Sequence, residues 1–189
     1  MIDVRRILIL AVLLLIAAAT GVSLKPSLSS MSTTPQILTL RCPAFAHGTG
    51  IPARYTGDGA NVSPELDWSD APQGTRSFAL ICDDPDAPHG TWVHWLLWNL
   101  PGGTASLPEA VEKKRALPAG TQTGRNDSGG TSYDGPAPPP GGAHRYFFKL
   151  YALDSTLTLA PGSRKSALEK AMAGHVLAQG VWMGTYQHQ

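Results

Sequence analysis

The segment Trp92-Val93-His94-Trp95-Leu96-Leu97-Trp98-Asn99 decides the class of the fold. It is unbroken by Gly or Pro and rich in aromatic and branched residues, so it reads as a strand. At period two, Trp92, His94, Leu96 and Trp98 fall on one face, and Val93, Trp95, Leu97 and Asn99 on the other. Both faces are mostly apolar, which predicts a central strand covered on both sides. His94 is then buried, and a buried imidazole needs partners. Two further runs share this character: Ser77–Cys82, and Arg145–Leu153 with His144 just before it. In the second, His144, Tyr146 and Phe148 share one face and Arg145, Phe147 and Lys149 the other.

Around these three strands the sequence is turn-rich. Ile37–Arg41 is a short strand candidate, and Phe45–Asp67 is a loop region around at most one strand. Leu157 and Leu159 suggest a fourth strand ending at Pro161-Gly162, and Val176–Tyr186 a last extended segment. Pro101–Pro140 shows little periodicity. One helix is predicted: Ser166-Ala167-Leu168-Glu169 matches a capping box, Leu168, Ala171 and Met172 share a face, and Gly174 stops it. No internal repeat is visible. Several strands with one late helix indicate a mostly β, antiparallel sandwich.

Composition agrees. Of 189 residues, 36 are Gly or Pro, and only 15% are charged, against roughly 25% charged in an average domain. Helical bundles and coiled coils need more charged helix formers and fewer breakers. The 42% hydrophobic content and five Trp exclude a charged disordered chain. A net charge of +1 leaves no electrostatic footprint for nucleic acid.

The N-terminus is read apart from the domain. Arg5-Arg6 precedes an apolar run from Ile7 to Ala19, then small and polar residues, as in a secretory signal peptide over 1–21. The alternative is an uncleaved anchor over residues 7–22; the run is shorter than the ~20 residues of a spanning helix. Either way the chain is expected to be exported, periplasmic or secreted, with membrane contact only through an uncleaved segment. Without residues 1–20, 13 basic and 13 acidic side chains remain, so the surplus charge belongs to the export signal. The Ser/Thr/Pro-rich stretch 22–36 reads as a tether, and the domain as 37–189. Export makes a Cys42–Cys82 disulfide conceivable; the other reading is that Cys82, ending its strand, is a small core hydrophobe.

Three segments carry chemistry. Asp83-Asp84-Pro85-Asp86-Ala87-Pro88 forms an acidic corner stiffened by proline. His94 sits on the central strand. Tyr133-Asp134-Gly135-Pro136-Ala137-Pro138-Pro139-Pro140-Gly141 is a stiff extended run leading to His144 and Tyr146, suited to a pocket wall. If these converge, imidazoles and a phenol can donate to phosphate oxygens, while carboxylates orient an imidazole or accept from an ammonium group.

At these residues the chain resembles the phosphatidylethanolamine-binding protein (PEBP) family, most closely its bacterial Raf-kinase-inhibitor-like branch. The markers run in order: Tyr55-Thr56-Gly57-Asp58-Gly59, Asn61-Val62-Ser63-Pro64, Asp84-Pro85-Asp86-Ala87-Pro88, Trp92-Val93-His94-Trp95, Asn99-Leu100-Pro101, Tyr133 with Gly135-Pro136 and Pro138-Pro139, and His144-Arg145-Tyr146. The endings Gly174-His175-Val176-Leu177-Ala178 and Gly184-Thr185-Tyr186 complete them. The resemblance implies a Greek-key sandwich with an anion pocket at one end. Asp84 and Asp86 would be its carboxylates, His94 its floor and Pro138 or Pro139 its wall, completed by His144 and Tyr146, with Tyr186 nearby. Ala137 stands where bacterial relatives often carry Cys.

The function expected on that basis is non-enzymatic binding of small phosphate compounds or phospholipid head groups. The alternative is a protein-interaction module inhibiting a kinase, protease or other hydrolase outside the cytoplasm. A homodimer stays open. No H-E-x-x-H, C-x-x-C or G-x-S-x-G motif is present, so no enzyme, metal site or cofactor is expected.

Overall fold

The computed structural model describes residues 35–188. The expected signal or anchor and nearly all of the tether lie outside the described residues.

Two sheets form the domain. The larger contains six strands: β1 (Gln36–Ile37), β4 (Ser77–Asp84), β5 (Trp92–Pro101), β7 (Gln122–Thr123), β8 (His144–Leu153) and β9 (Val176–Tyr186), in the order β1-β9-β8-β4-β5-β7. The smaller contains β2 (Thr39–Arg41), β3 (Leu66–Ser69) and β6 (Ser106–Leu107), in the order β2-β3-β6. The Ile37–Arg41 candidate is thus two strands, one in each sheet. All neighbours are antiparallel except β1 and β9.

Alternation along the long strands builds the core. Phe78, Leu80 and Cys82 of β4 and Tyr146, Phe148, Leu150 and Ala152 of β8 point between the sheets, meeting Leu40, Leu66, Trp68 and Leu107. Ala79 and Ile81 turn to the opposite face, where Leu157, Leu168 and Met172 cover them. Each fully buried Leu or Phe here contributes roughly 1.5–3 kcal/mol. The predicted covering of both faces of the central strands holds.

The predicted alternation of β5 does not hold along its whole length. Cys82 pairs with Trp95 but Asp83 pairs with Val93, so His94 is an extra, bulged residue. A second irregularity lies where Phe78 pairs with Leu100 and Leu80 with Leu97, next to Asn99 at φ 56°. As a result Val93, Leu96 and Trp98 pack on the helix side, and Trp95, Leu97 and Leu100 pack between the sheets. His94 leaves the Leu96–Trp98 face and packs against Tyr146, with ring centroids 5.2 Å apart.

Two other expectations are corrected, and one open alternative is decided. Leu157 and Leu159 lie in irregular chain, not in a strand. The Asn99 side chain takes the place of a strand partner: it accepts from Leu157 N (2.8 Å) and donates to Leu157 O (3.0 Å). The helix, α1, spans Lys165–Met172; its N-cap is Arg164 with no side-chain cap bond, so Ser166 lies inside the first turn and the capping box does not form. Its apolar face and its stop are as expected: Leu168 and Met172 are buried, Ala171 packs beside them, and Gly174 follows at φ 82°. Cys42 and Cys82 are both free and buried, so the core-thiol reading stands and the disulfide does not.

Candidate functional site

Antiparallel pairing of β4 with both β5 and β8 brings the end of β4 beside the starts of its two neighbours. Asp84, His94, His144 and Tyr146 therefore gather at one end of the sandwich without any long-range loop having to carry them. They line a cavity of about 240 Å³ together with Ala87, Pro88, His89, Trp92, Ser128, Asp134, Gly135, Ala137, Pro138 and Pro139. Pockets for drug-sized ligands are roughly 300–1,000 Å³, so this one is scaled to a small group.

Strand alternation separates the two adjacent carboxylates of β4. Asp84 faces the cavity: its Oδ2 accepts from His144 Nδ1 (2.8 Å) and its Oδ1 from Asp86 N (2.8 Å). Asp83 faces the helix side, where it is fully buried between Lys149 of β8 (2.7 Å) and Lys165 of α1 (2.5 Å). Asp86 does not line the cavity. Both its oxygens are taken by the Arg145 guanidinium (2.7 and 2.8 Å), and Oδ2 also accepts from Arg145 N (2.9 Å). That clamp lowers its carboxyl to about 2, chiefly through the Arg145 side-chain bonds. It ties the acidic corner to the start of β8.

The floor is polar and incompletely paired. His94 is 5% exposed and Tyr146 1%. His94 Nδ1 lies 2.6 Å from the carbonyl oxygen of Asp134, whereas His94 Nε2 and the Tyr146 hydroxyl have no partner among the described residues. Burial is the main influence on both groups. It pushes the His94 imidazole below its ordinary value and the Tyr146 phenol well above.

The wall is held from behind by the motifs that carried the resemblance. Asn61 donates to Asp134 Oδ1 (2.9 Å) and accepts from Gly135 N (2.7 Å). Ser128 donates to Asp134 Oδ2, and Gly57 N to Pro136 O (2.7 Å). Tyr133 donates to Tyr55 O (2.7 Å). At Gly135 a Cβ would collide with the Tyr55 carbonyl, so only glycine lets the wall sit this close. Tyr186 also lies outside the lining: its hydroxyl donates to Asp58 Oδ2 (2.7 Å), which also meets His188 (3.0 Å).

Of the eight residues expected from sequence, then, Asp84, His94, Pro138, Pro139, His144 and Tyr146 surround one cavity. Asp86 and Tyr186 brace it from outside. Sequence reasoning missed Trp92, 39% exposed at the cavity, and Asp134, whose carbonyl holds His94. Both stood inside segments already singled out; nothing in their spacing marked them. Among the described residues, no group of three or more His, Cys, Asp or Glu is placed to hold a metal.

Comparison with known proteins now bears on this geometry. The family profile described as phosphatidylethanolamine-binding protein matches residues 41–187. A protein designated UPF0098 from Methanothermobacter thermautotrophicus is 48% identical over 150 residues, covering 79% of this chain and 99% of its own. A second, from Pyrococcus horikoshii, is 44% identical, covering 77% and 74%. Among solved structures, a putative PEBP homologue from Chlamydia trachomatis superposes with a TM-score of 0.74 at 36% identity, over 82% of this chain and 99% of its own. E. coli YbcL, described as a new member of the mammalian PEBP family, gives 0.75 at 29% identity, over 80% and 99%. Profile, relatives and fold agree, and the chain belongs to the phosphatidylethanolamine-binding protein family.

Proposed function

We propose that the cavity binds a small phosphate-bearing compound or phospholipid head group, without chemical conversion. One observation carries the reading: two buried polar atoms, His94 Nε2 and the Tyr146 hydroxyl, belong to cavity-lining side chains and have no partner among the described residues. A buried polar group left unpaired costs roughly 1–3 kcal/mol, and a ligand oxygen meeting both recovers it. His144, oriented by Asp84, adds a third contact, the second from an imidazole, and Pro138 and Pro139 line the wall. The volume suits a head group, with Trp92 and the prolines left to meet an apolar remainder.

The site is proposed to work outside the cytoplasm, on the strength of Arg5-Arg6 and the apolar run Ile7–Ala19. Fractionation with N-terminal sequencing tests that part. Titration with phosphoethanolamine followed by ³¹P NMR tests the binding. The expected result is saturation at one equivalent, with affinity at least tenfold weaker in His144→Ala. Equal binding by wild type and variant refutes the assignment of the cavity.

A further inference from the structure

His94 offers its two nitrogens to different surroundings. Nδ1 faces the Asp134 carbonyl at 2.6 Å. A carbonyl only accepts, so Nδ1 carries the ring hydrogen and, in the neutral ring, Nε2 is an acceptor. The carbonyl is firmly held. Asp134 N donates back to His94 O (3.2 Å), and the Asp134 carboxylate is tied by Asn61 and Ser128. Burial favours the neutral ring.

The charged and titratable groups around His94 do not reverse this. From β4 come Asp83, neutralised by Lys149 and Lys165, and Asp84, bonded to His144 and to Asp86 N. From β8 come His144 and Tyr146; from the loops come Asp134 and His89. The floor thus pairs one acceptor nitrogen with one free hydroxyl.

A fully ionised tetrahedral anion has only lone pairs to offer, and they oppose that of Nε2. An anion that keeps one proton gives its O–H to Nε2 and takes the Tyr146 O–H. Resting on the oxyanion reading of the cavity, we propose that the site selects the hydrogen-bearing form of phosphate or of a phosphate monoester and discriminates against sulfate. His94 reads the ligand's proton, and Asn61 and the Asp134 backbone are positioning groups that fix its tautomer.

Calorimetric titration of the protein with phosphoethanolamine, inorganic phosphate and sulfate between pH 5.5 and 8.5 tests this. Sulfate stays fully ionised across this range and serves as the reference, so the informative quantity is the ratio of phosphate to sulfate affinity. That ratio is expected to be about 10–100 at pH 5.5, the worth of one unpaired buried group. For the monoester it should fall toward one as the ligand loses its last proton, about pH 6, whereas inorganic phosphate keeps a proton across this whole range and its ratio should stay high. The two phosphate arms separate an ester ligand from free phosphate. His94→Gln, whose amide N–H is able to donate, is expected to bring the ratio near one at every pH. The wild-type ratio stands as a test even if that variant fails to fold. A ratio within threefold of one at pH 5.5, or a monoester ratio independent of pH, overturns the proposal while leaving oxyanion binding intact. No saturable binding of any anion at any pH removes the oxyanion reading itself, and this inference with it.

Discussion

Two tyrosines in the same core make opposite predictions for the same substitution. Tyr146 and Tyr133 are 1% and 4% exposed, and each packs edge-on against a neighbour, His94 at 5.2 Å and Trp95 at 5.5 Å. Phe in place of either removes one oxygen and leaves the packing unchanged. The Tyr133 hydroxyl donates to Tyr55 O at 2.7 Å. Its loss strands a carbonyl, which should destabilise the domain by about 1–2 kcal/mol. The Tyr146 hydroxyl has no partner among the described residues, so Tyr146→Phe relieves a penalty and should stabilise by about 1 kcal/mol. For a domain of this size, 1 kcal/mol shifts Tm by roughly 2–4 °C. Scanning calorimetry of the ligand-free protein should show Tyr146→Phe melting higher than wild type and Tyr133→Phe melting lower. Phosphoethanolamine affinity should move the other way, falling about tenfold in Tyr146→Phe and little in Tyr133→Phe. Stability given up at a site in exchange for binding is the expected pattern. If Tyr146→Phe is destabilised as much as Tyr133→Phe, the hydroxyl has a partner and the reasoning fails.

Other perturbations follow from the same contacts. Asn99→Ala loses both bonds to Leu157 and leaves a residue without asparagine's tolerance of the left-handed region at φ 56°; a loss of about 2–4 kcal/mol is expected by urea denaturation, with Asn99→Gly about 1 kcal/mol milder. Asp83→Asn leaves Lys149 and Lys165 without their carboxylate, and should cost about 2–4 kcal/mol by the same assay, the lower range of a broken buried pair because both lysines reach water. The Asp86 carboxyl is depressed in the folded state, to about 2, so its stabilisation is present above the unfolded value and is lost as pH falls toward 2. The pair is partly exposed, so Asp86→Asn at pH 7 should lose under about 1 kcal/mol, and less in high salt. Burial raises both thiols, Cys42 to about 11; a thiol reagent should titrate none in the native protein and two in denaturant, and fewer than two in denaturant would restore the disulfide.

The strands that build the fold were legible because burial on both faces leaves a continuous apolar signature. β4 and β5 are of that kind, and β8 shows the alternation of a strand with one fully buried face. What was hidden depends on partners distant in sequence. The bulge at His94 arises from pairing with Asp83, and period-two reasoning cannot count residues on the opposite strand. It placed His94 on one face with Leu96 and Trp98, whereas the extra residue turns it toward Tyr146. Leu157 and Leu159 have the apolar alternation of a strand, but the Leu157 amide and carbonyl are satisfied by a side chain, Asn99, instead of a neighbouring strand. Ser166 and Glu169 had the spacing of a capping box, but the N-cap is Arg164, two residues earlier, and the first helical residue, Lys165, reaches Asp83.

The site was partly legible for a related reason. Asp84, His94, His144 and Tyr146 sit at strand ends that antiparallel topology must bring together. The roles of Asp83, Asp84 and Asp86 were not separable, because three clustered carboxylates look alike until strand alternation and Arg145 sort them. Asp134 was hidden more deeply, since it acts on His94 through its backbone carbonyl, which carries no side-chain signature.

The central claim is that His94 and Tyr146 form the floor of an oxyanion site. NMR of the protein with ¹⁵N-labelled histidine, titrated with phosphoethanolamine, tests it most directly. Free protein should show His94 with Nδ1 protonated and Nε2 bare, and the Nε2 signal should shift saturably with ligand, at the concentration that saturates the ³¹P signal. A His94 resonance that stays fixed while ligand binds elsewhere would contradict the account.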